Sequence, residues 1–446
     1  MTGIPNLSSS RSSLPVLTFV ALAVVLISLG TVLLDLRIAA GLVAGICLCL
    51  LTLHRPVWGL ALFCSLFTLE GISARYLEVS EIRIIGTLVF GLWLLHVVFT
   101  GKKVRVDRTF LLSLAFFFWA GLSLLWAPDP DWAGRAYGTL AQSVLLFLLV
   151  VNVIETEADF SLVLAAFLVG AVVTSPMSLN LFVSNVFERA RAFEAQNANQ
   201  YAALMGVAII SGIYLTGRVR GYMARTAIIL PTLFLVVPLV LAQSRTAWTS
   251  VAAAVGFFIW RTGHRVRNLV ITLLATSAVV GVLFATGLVN FTLVERANEL
   301  ISIRERGSSR FDVWRVAAEI IEEHPLWGVG FNQFPVVYNS YRSETPAIRR
   351  DQESNRDPHS VFFGVTAELG IVGLALMLAM FWNAAREERL PPGQRPWIAE
   401  VLVVFMLVFS IGGTMYYGKL FWVVLALAAK ASHLAAQREE AVEGLG

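Results

Sequence analysis

Long apolar runs alternate with short polar breaks along this chain from Leu14 to Leu434. The runs fall near 15–34, 38–53, 57–70, 83–99, 110–127, 138–153, 160–182, 201–216, 225–242, 246–260, 269–289, 360–383, 398–413 and 419–434. Most approach the roughly 20 helical residues needed to cross a hydrocarbon core of about 30 Å. Lipid leaves backbone amides no partner outside the segment, so each run predicts a helix. The second, third and last two are short enough to be tilted or re-entrant pairs, which would lower the count to about twelve. The first run follows a serine-rich lead with Arg11, is too long for the core of a cleaved signal peptide, and reads as a retained signal anchor. The expected fold is all-α and polytopic with about 12–14 spans: a transmembrane helical core over 1–289, a long polar segment over 290–359 and C-terminal transmembrane helices over 360–446.

The polar segment is far longer than the connections between packed helices, and such a segment commonly carries function. Within it Ser309-Arg310-Phe311-Asp312 has the spacing of a capping box, and Phe311, Trp314, Ala318 and Ile321 recur at helical spacing until Pro325. This predicts an amphipathic helix on the membrane surface with Arg310 in its first turn. Further on, Asp357-Pro358 reads as an N-cap followed by proline at the first helical position, placing His359 in the opening turn of a span. The positive end of that helix favours neutral imidazole. Glu368 falls nine residues beyond His359, roughly on the opposite side of the helix, where an unpaired carboxylate is costly; the expectation is an arginine partner.

Composition agrees with lipid as the solvent: 57% of the residues are hydrophobic, 14% are charged and the mean hydropathy is +0.73. The net charge of +4 is scattered between apolar runs and forms no stripe, which argues against nucleic acid as a partner. Cys47, Cys49 and Cys64 all lie in apolar runs and suggest neither a disulfide framework nor a zinc site.

Charge also sets an orientation. A cytoplasmic N-terminus puts Lys102, Lys103, Arg105 and Arg108 inside, with Arg218, Arg220, Arg225, Arg261, Arg265, Arg267, Arg386, Arg389 and Arg395. The C-terminus is then cytoplasmic too. The loop Glu155 to Asp159 is the one inner break with no positive charge. Outside lie the polar segment and the stretches around Arg191 and Arg245.

Outward arginines suit a phosphate-bearing ligand, since guanidinium offers a rigid fork and keeps its charge. Their other reading is snorkelling to lipid headgroups, or pairing with Glu188 and Glu194. Asp129-Pro130-Asp131 has the spacing of a divalent-ion motif but sits in a proline turn. Gly328-Val329-Gly330 lacks the Lys-Ser or Lys-Thr pair of a phosphate loop. No metal site is expected.

The run RFDVWRVAAEIIEEHPLWGVGFNQF from Arg310, followed by HSVFFGVTAELGIVGL from His359, resembles the signature region of the O-antigen ligase and polymerase family of bacterial surface-polysaccharide glycosyltransferases. SLLWAPD, RARAFEAQNANQYA and AQSRTAW are similar to that family's weaker motifs, and the likeness covers most of the chain. Two departures are His359-Ser360 where the family often has His-Asn, and Ala192 with Asn197-Ala198-Asn199 where it has a Gly and Asn-Pro-Asn. The resemblance implies an architecture like that of multi-span glycosyltransferases with lipid-linked donors, in the bacterial cytoplasmic membrane. It implies transfer of a glycan from a polyprenyl diphosphate carrier to a hydroxyl on a lipid core or glycan, on the outer face, with no cofactor, nucleotide sugar or metal. Arg191, Arg245 and Arg310 would hold the donor diphosphate, His359 would take the acceptor proton, and Asp357 and Glu368 would support them. A repeat-unit polymerase is the alternative within the family. A small-solute transporter, the alternative outside it, should show interrupted spans and ionisable residues at mid-membrane, whereas the polar residues here gather outside.

Overall fold

The computed structural model describes residues 45–46, 48–70, 81–184, 189–191, 197–263, 265–286, 308–342, 356–386, 390, 395–413 and 416–443. The predicted first span and Cys47 lie outside them. Numbered from Pro56, the helices are α1 Pro56–Leu66, α2 Glu81–Thr100, α3 Arg108–Leu122, α4 Pro130–Val153, α5 Glu157–Val183, α6 Ala198–Arg218, α7 Tyr222–Phe234, α8 Val236–Leu241, α9 Arg245–Arg261, α10 Arg265–Ala285, α11 Ser308–Glu323, α12 Phe334–Arg342, α13 Val361–Ala385, α14 Trp397–Gly412 and α15 Lys419–Glu443. No strand occurs among the described residues. Eight helices there are long and apolar enough to cross a membrane, counting α7 and α8 as one span that carries Pro231 and Pro238. The predicted spans from 57–70 onward each coincide with a helix.

Polar caps set the helix ends. Asp107, Asp129, Asn197 and Ser244 each accept a first-turn amide of α3, α4, α6 and α9, while Thr156 and Asp159 close a reciprocal capping box on α5. Asp129 is therefore a helix cap with Pro130 at the first helical position and Asp131 in the first turn, where a proline turn was expected. α15 lies deepest, with 83% of its span window buried, and α4, α14 and α13 pack around it. α2, at 17%, forms part of the rim.

Successive helices run antiparallel, giving the bundle two chemically different ends. One end gathers the loops rich in lysine and arginine. There Arg55 pairs with Asp159 at 3.0 Å, Lys102 with Glu155 at 2.6 Å, Arg218 with Glu157 at 2.5 Å and Arg261 with Glu400 at 3.0 Å. The loop from Glu155 to Asp159 is thus the counter-ion of its basic neighbours on the same end, which explains why it lacks positive charge of its own.

The opposite end holds α11, α12 and a broken helix. α13 departs from helical geometry at Gly370, with φ 66° and ψ −169°, a region essentially restricted to glycine. The break frees carbonyls that a continuous helix would bond internally, and each of three finds a donor. Val329 N–H reaches Ala367 O at 2.9 Å, Gly330 N–H reaches Glu368 O at 2.8 Å, and Trp119 Nε1–H reaches Leu369 O at 2.9 Å. In return Ile371 N–H donates to Pro325 O at 2.9 Å. Close backbone approach requires glycine on both sides: a Cβ on Gly328 would strike the Glu368 carbonyl, and one on Gly370 would strike that of Leu326. The Gly-Val-Gly segment is a backbone dock.

Glu368, 1% exposed, locks this joint. Its carboxylate accepts Asn332 N–H at 2.8 Å, Phe334 N–H at 3.2 Å and the Tyr416 hydroxyl. The expected arginine partner is corrected: two backbone amides and a phenol take that place, because the loop that meets α13 brings amides rather than cations.

The helix α11 also differs from expectation. Its buried stripe is Val313, Val316, Ala317 and Ile320, one register away from the predicted positions, and Phe311 is exposed. The stripe packs on Val329, Phe334, Tyr338 and Ala367, so the helix buries its apolar face against its own chain and not on lipid. Ser309 lies inside this helix and not at its cap.

The two-ended arrangement predicts that reporters joined after residue 330 and after residue 264 fall on opposite sides of the membrane, the second in the cytoplasm. Detection on the same side would mean that α10 does not cross. The joint predicts that Glu368→Gln, which leaves at least one buried amide facing another donor, lowers stability by about 1–3 kcal/mol, read as a fall in the unfolding temperature of the purified protein. Gly370→Ala should be at least as damaging, since strain and collision act together. An unchanged unfolding temperature in both variants would mean that the joint does not hold the loop.

Candidate functional site

Arg245 opens α9 directly behind its Ser244 cap, and Arg310 lies in the first turn of α11. The fold brings them together although 65 positions separate them in sequence: Arg310 reaches Thr246, the residue next to Arg245, and feels the Arg245 charge. Burial and that like charge both push the Arg310 guanidinium below its usual range, yet arginine remains cationic at any physiological pH. Among the described residues the polar partner of Arg310 is the Thr246 hydroxyl, at a long 3.4 Å, and the Arg245 side chain makes no hydrogen bond or ion pair there. Both are half-buried. Two guanidinium groups brought together with no carboxylate partner among the described residues form a positive site suited to a diphosphate.

Gly412, the last residue of α14, makes room for this pair. A Cβ there would sit 3.0 Å from Arg310 Nη1 and 2.6 Å from Thr246 Oγ1. Thr246 and Gly412 escaped the sequence reading; Thr246 directly follows the arginine of AQSRTAW, and that adjacency was the available signal.

The neighbouring arginines Arg189 and Arg191 have separate situations. Arg189 donates from Nε to Ala242 O at 2.9 Å and from Nη2 to Asn199 Oδ1 at 2.7 Å. With Ala190 N–H bonded to Leu241 O at 2.9 Å, it clamps this segment onto the turn before Arg245. Arg189 is therefore spent on structure. Arg191, half-buried, comes next on the same clamped segment, so its backbone is held beside that turn. Glu188 and Glu194, the carboxylates considered as partners, lie outside the described residues. Asn197 caps α6, Ala198 takes its first position, and Asn199 holds Arg189.

His359 stands just before α13. The cap is Ser360, whose hydroxyl accepts Phe363 N–H at 3.5 Å, so the expectation of Asp357 as cap and Pro358 as first helical residue is corrected by three positions. Serine and asparagine are comparably good caps, which makes the His-Ser departure mild in structural terms. His359 adopts a left-handed backbone with φ 49°, uncommon outside glycine, asparagine and aspartate. The turn is pinned by Trp314 Nε1–H, which donates to Pro358 O at 3.1 Å while its ring stacks on Phe363 at 5.4 Å. Helix α11 thus carries both Arg310 and the indole that fixes the histidine turn.

His359 is open to solvent on one side. Burial of its surroundings and then the Arg310 charge hold its pKa below the ordinary imidazole range; Arg356 adds to this and Asp357 opposes it. Asp357 is itself raised, by burial, with His359 pulling the other way. No hydrogen bond joins the two among the described residues, so Asp357 acts on the imidazole through charge. The arrangement offers a fixed pair of cations, and beside them a histidine kept neutral and able to accept a proton.

A family model described as O-antigen ligase matches residues 230–378. That stretch runs from α7 into α13 and contains Arg245, Arg310, Asp357, His359 and Glu368, while Arg191 precedes it. No curated protein matches the chain.

Proposed function

The chain is a member of the O-antigen ligase family through residues 230–378, and from that membership and the geometry of its arginines and histidine we propose that it transfers a glycan from a polyprenyl diphosphate carrier to a hydroxyl acceptor. The acceptor oxygen attacks the anomeric carbon, the bond from that carbon to the diphosphate oxygen breaks, and the diphosphate leaves with the electron pair. Arg245 and Arg310 meet the charge that grows on the leaving group, with Arg191 at the edge of the same region. His359 takes the proton released by the acceptor hydroxyl. Asp357 biases the imidazole by its charge, and Glu368 supports the site from behind by holding the loop on α13. The observation that carries this reading is the juxtaposition, at one end of the bundle, of two guanidinium groups that have no carboxylate partner among the described residues with a histidine held toward its neutral form. The charge pattern of the loops supports placing that end outside the cytoplasm.

Incubating the purified protein with polyprenyl diphosphate oligosaccharide, with and without a lipid-core acceptor, tests the reading. A single product requiring the core identifies a ligase, and a ladder formed without it identifies the polymerase alternative. Release of no diphosphate carrier under either condition would overturn both. The broken span favours neither these nor transport, since protein backbone fills the break.

Arg245→Lys and Arg310→Lys should each lose most of the transfer rate although charge is kept, because an ammonium cannot make two parallel hydrogen bonds to a diphosphate. Arg265→Lys, at the basic end, is the control and should retain full rate. Full activity in both site variants would reduce these arginines to headgroup anchors.

His359→Ala should lower the rate by about 10²- to 10⁴-fold with donor binding preserved. A lowered pKa keeps the imidazole neutral further into acid, so the wild-type rate should stay level as pH falls to about 6.5 and drop only below it. A rate that falls already between pH 8 and 7, or a variant retaining more than about a tenth of the rate, would place the base elsewhere.

A further inference from the structure

At the basic end, between α1, α2, α4 and α15, lies a pocket of about 530 Å³. Lys102, Lys103, Arg105 and Lys430 line it, with Glu155 as the single carboxylate. Lys430 is the unusual member. It is only 1% exposed, and its ammonium makes no hydrogen bond and no ion pair among the described residues. A lysine buried within a span and left unpartnered is costly, and such residues mark functional positions.

The carboxylates nearest to it are engaged elsewhere. Asp107 caps α3 through Phe110 N–H at 2.6 Å, Glu155 holds Lys102 at 2.6 Å, and Asp159 holds Arg55 at 3.0 Å while closing the box of α5. Arg105 adds a further cation, and its backbone is fixed in place by Asn152, which accepts from Arg105 N–H at 2.7 Å and donates to Arg105 O at 3.0 Å. The backbone that carries this cation is therefore held in place.

Pro56, Trp93, Val97 and Val153 add an apolar stretch to the lining, beside the polar His96 and Asn152. That stretch continues onto the outer surface of α2, where Val98 and Phe99 are 75% and 80% exposed and face the space that lipid chains fill. A ligand that satisfies both the cations and the apolar stretch carries an anionic head and an apolar tail. We propose that this pocket binds one anionic glycerophospholipid, its phosphate against Lys430 and Arg105 and its chain along Trp93 and Val97. Basic pockets between membrane helices are suited to such headgroups. The site lies at the end opposite Arg245, Arg310 and His359, so it stands independently of the glycan-transfer reading.

Native mass spectrometry of the full chain in detergent, titrated with phosphatidylglycerol, phosphatidylcholine or inorganic phosphate, tests the proposal. One phosphatidylglycerol should be retained about tenfold more tightly than phosphatidylcholine. Lys430→Met keeps the side-chain volume and should abolish that preference, while unfolding temperature holds or rises because a buried unpaired charge is removed. Lys103→Ala, at an exposed position where folding is not at stake, should weaken retention about fivefold. Equal retention of the two lipids, or an unchanged preference in both variants, would overturn the proposal. Displacement of the lipid by millimolar inorganic phosphate would overturn it too, by showing that the pocket takes the free anion.

Discussion

A helix interrupted among packed membrane spans must find partners for the backbone groups it releases, and that requirement organises the whole site end of this protein. Breaking α13 at Gly370 exposes the carbonyls of Ala367, Glu368 and Leu369. Water is not there to solvate them, so donors must come from protein. The chain supplies them from Val329, Gly330 and Trp119, and the segment that delivers the first two also carries α11 and α12 into place. The dock and the site are thus one construction: the joint that satisfies the backbone is what sets the height and direction of Arg310 and of the indole that pins His359.

Three helix beginnings converge around that site. Arg245 starts α9, Arg310 belongs to the first turn of α11, and His359 immediately precedes α13. Each beginning presents the positive end of a helix dipole, so the local field favours an anion beyond what the two guanidinium groups contribute. The same field disfavours imidazolium. Anion affinity and the neutrality of His359 therefore share one electrostatic origin, reinforced by the direct influence of Arg310 on the imidazole.

Much of this was legible in the chain because hydropathy and length are strong signals for membrane helices, and the predicted spans from 57–70 onward each met a helix. The gathering of Arg245, Arg310 and His359 was legible from orientation, since loops of like charge sort to one side. What could not be read is instructive. The break at Gly370 sits in an unbroken apolar run, where glycine is ordinary, and no pattern announces its backbone angles. Glu368 was expected to seek a cation because a cation is the commonest remedy for a buried carboxylate, whereas amides released by a turn serve equally well. The core face of α11 moved by one register because apolar residues cover more than half its circumference. Pro358 pointed to a helix start three residues too early, since Ser360 offered the better cap. Arg189 and Arg191 are alike in sequence, and nothing in the pattern announces the bonds of Arg189 to Ala242, Gln243 and Asn199.

The dock also has a consequence for how the protein is made. Residues 325–334 leave the ribosome before α13, yet their amides depend on carbonyls and a carboxylate of α13, and Glu368 in turn depends on Tyr416, which is synthesised later still. Glu368 therefore gains its full set of described partners only once Tyr416 has been made, so the dock that carries Arg310 is completed late in synthesis.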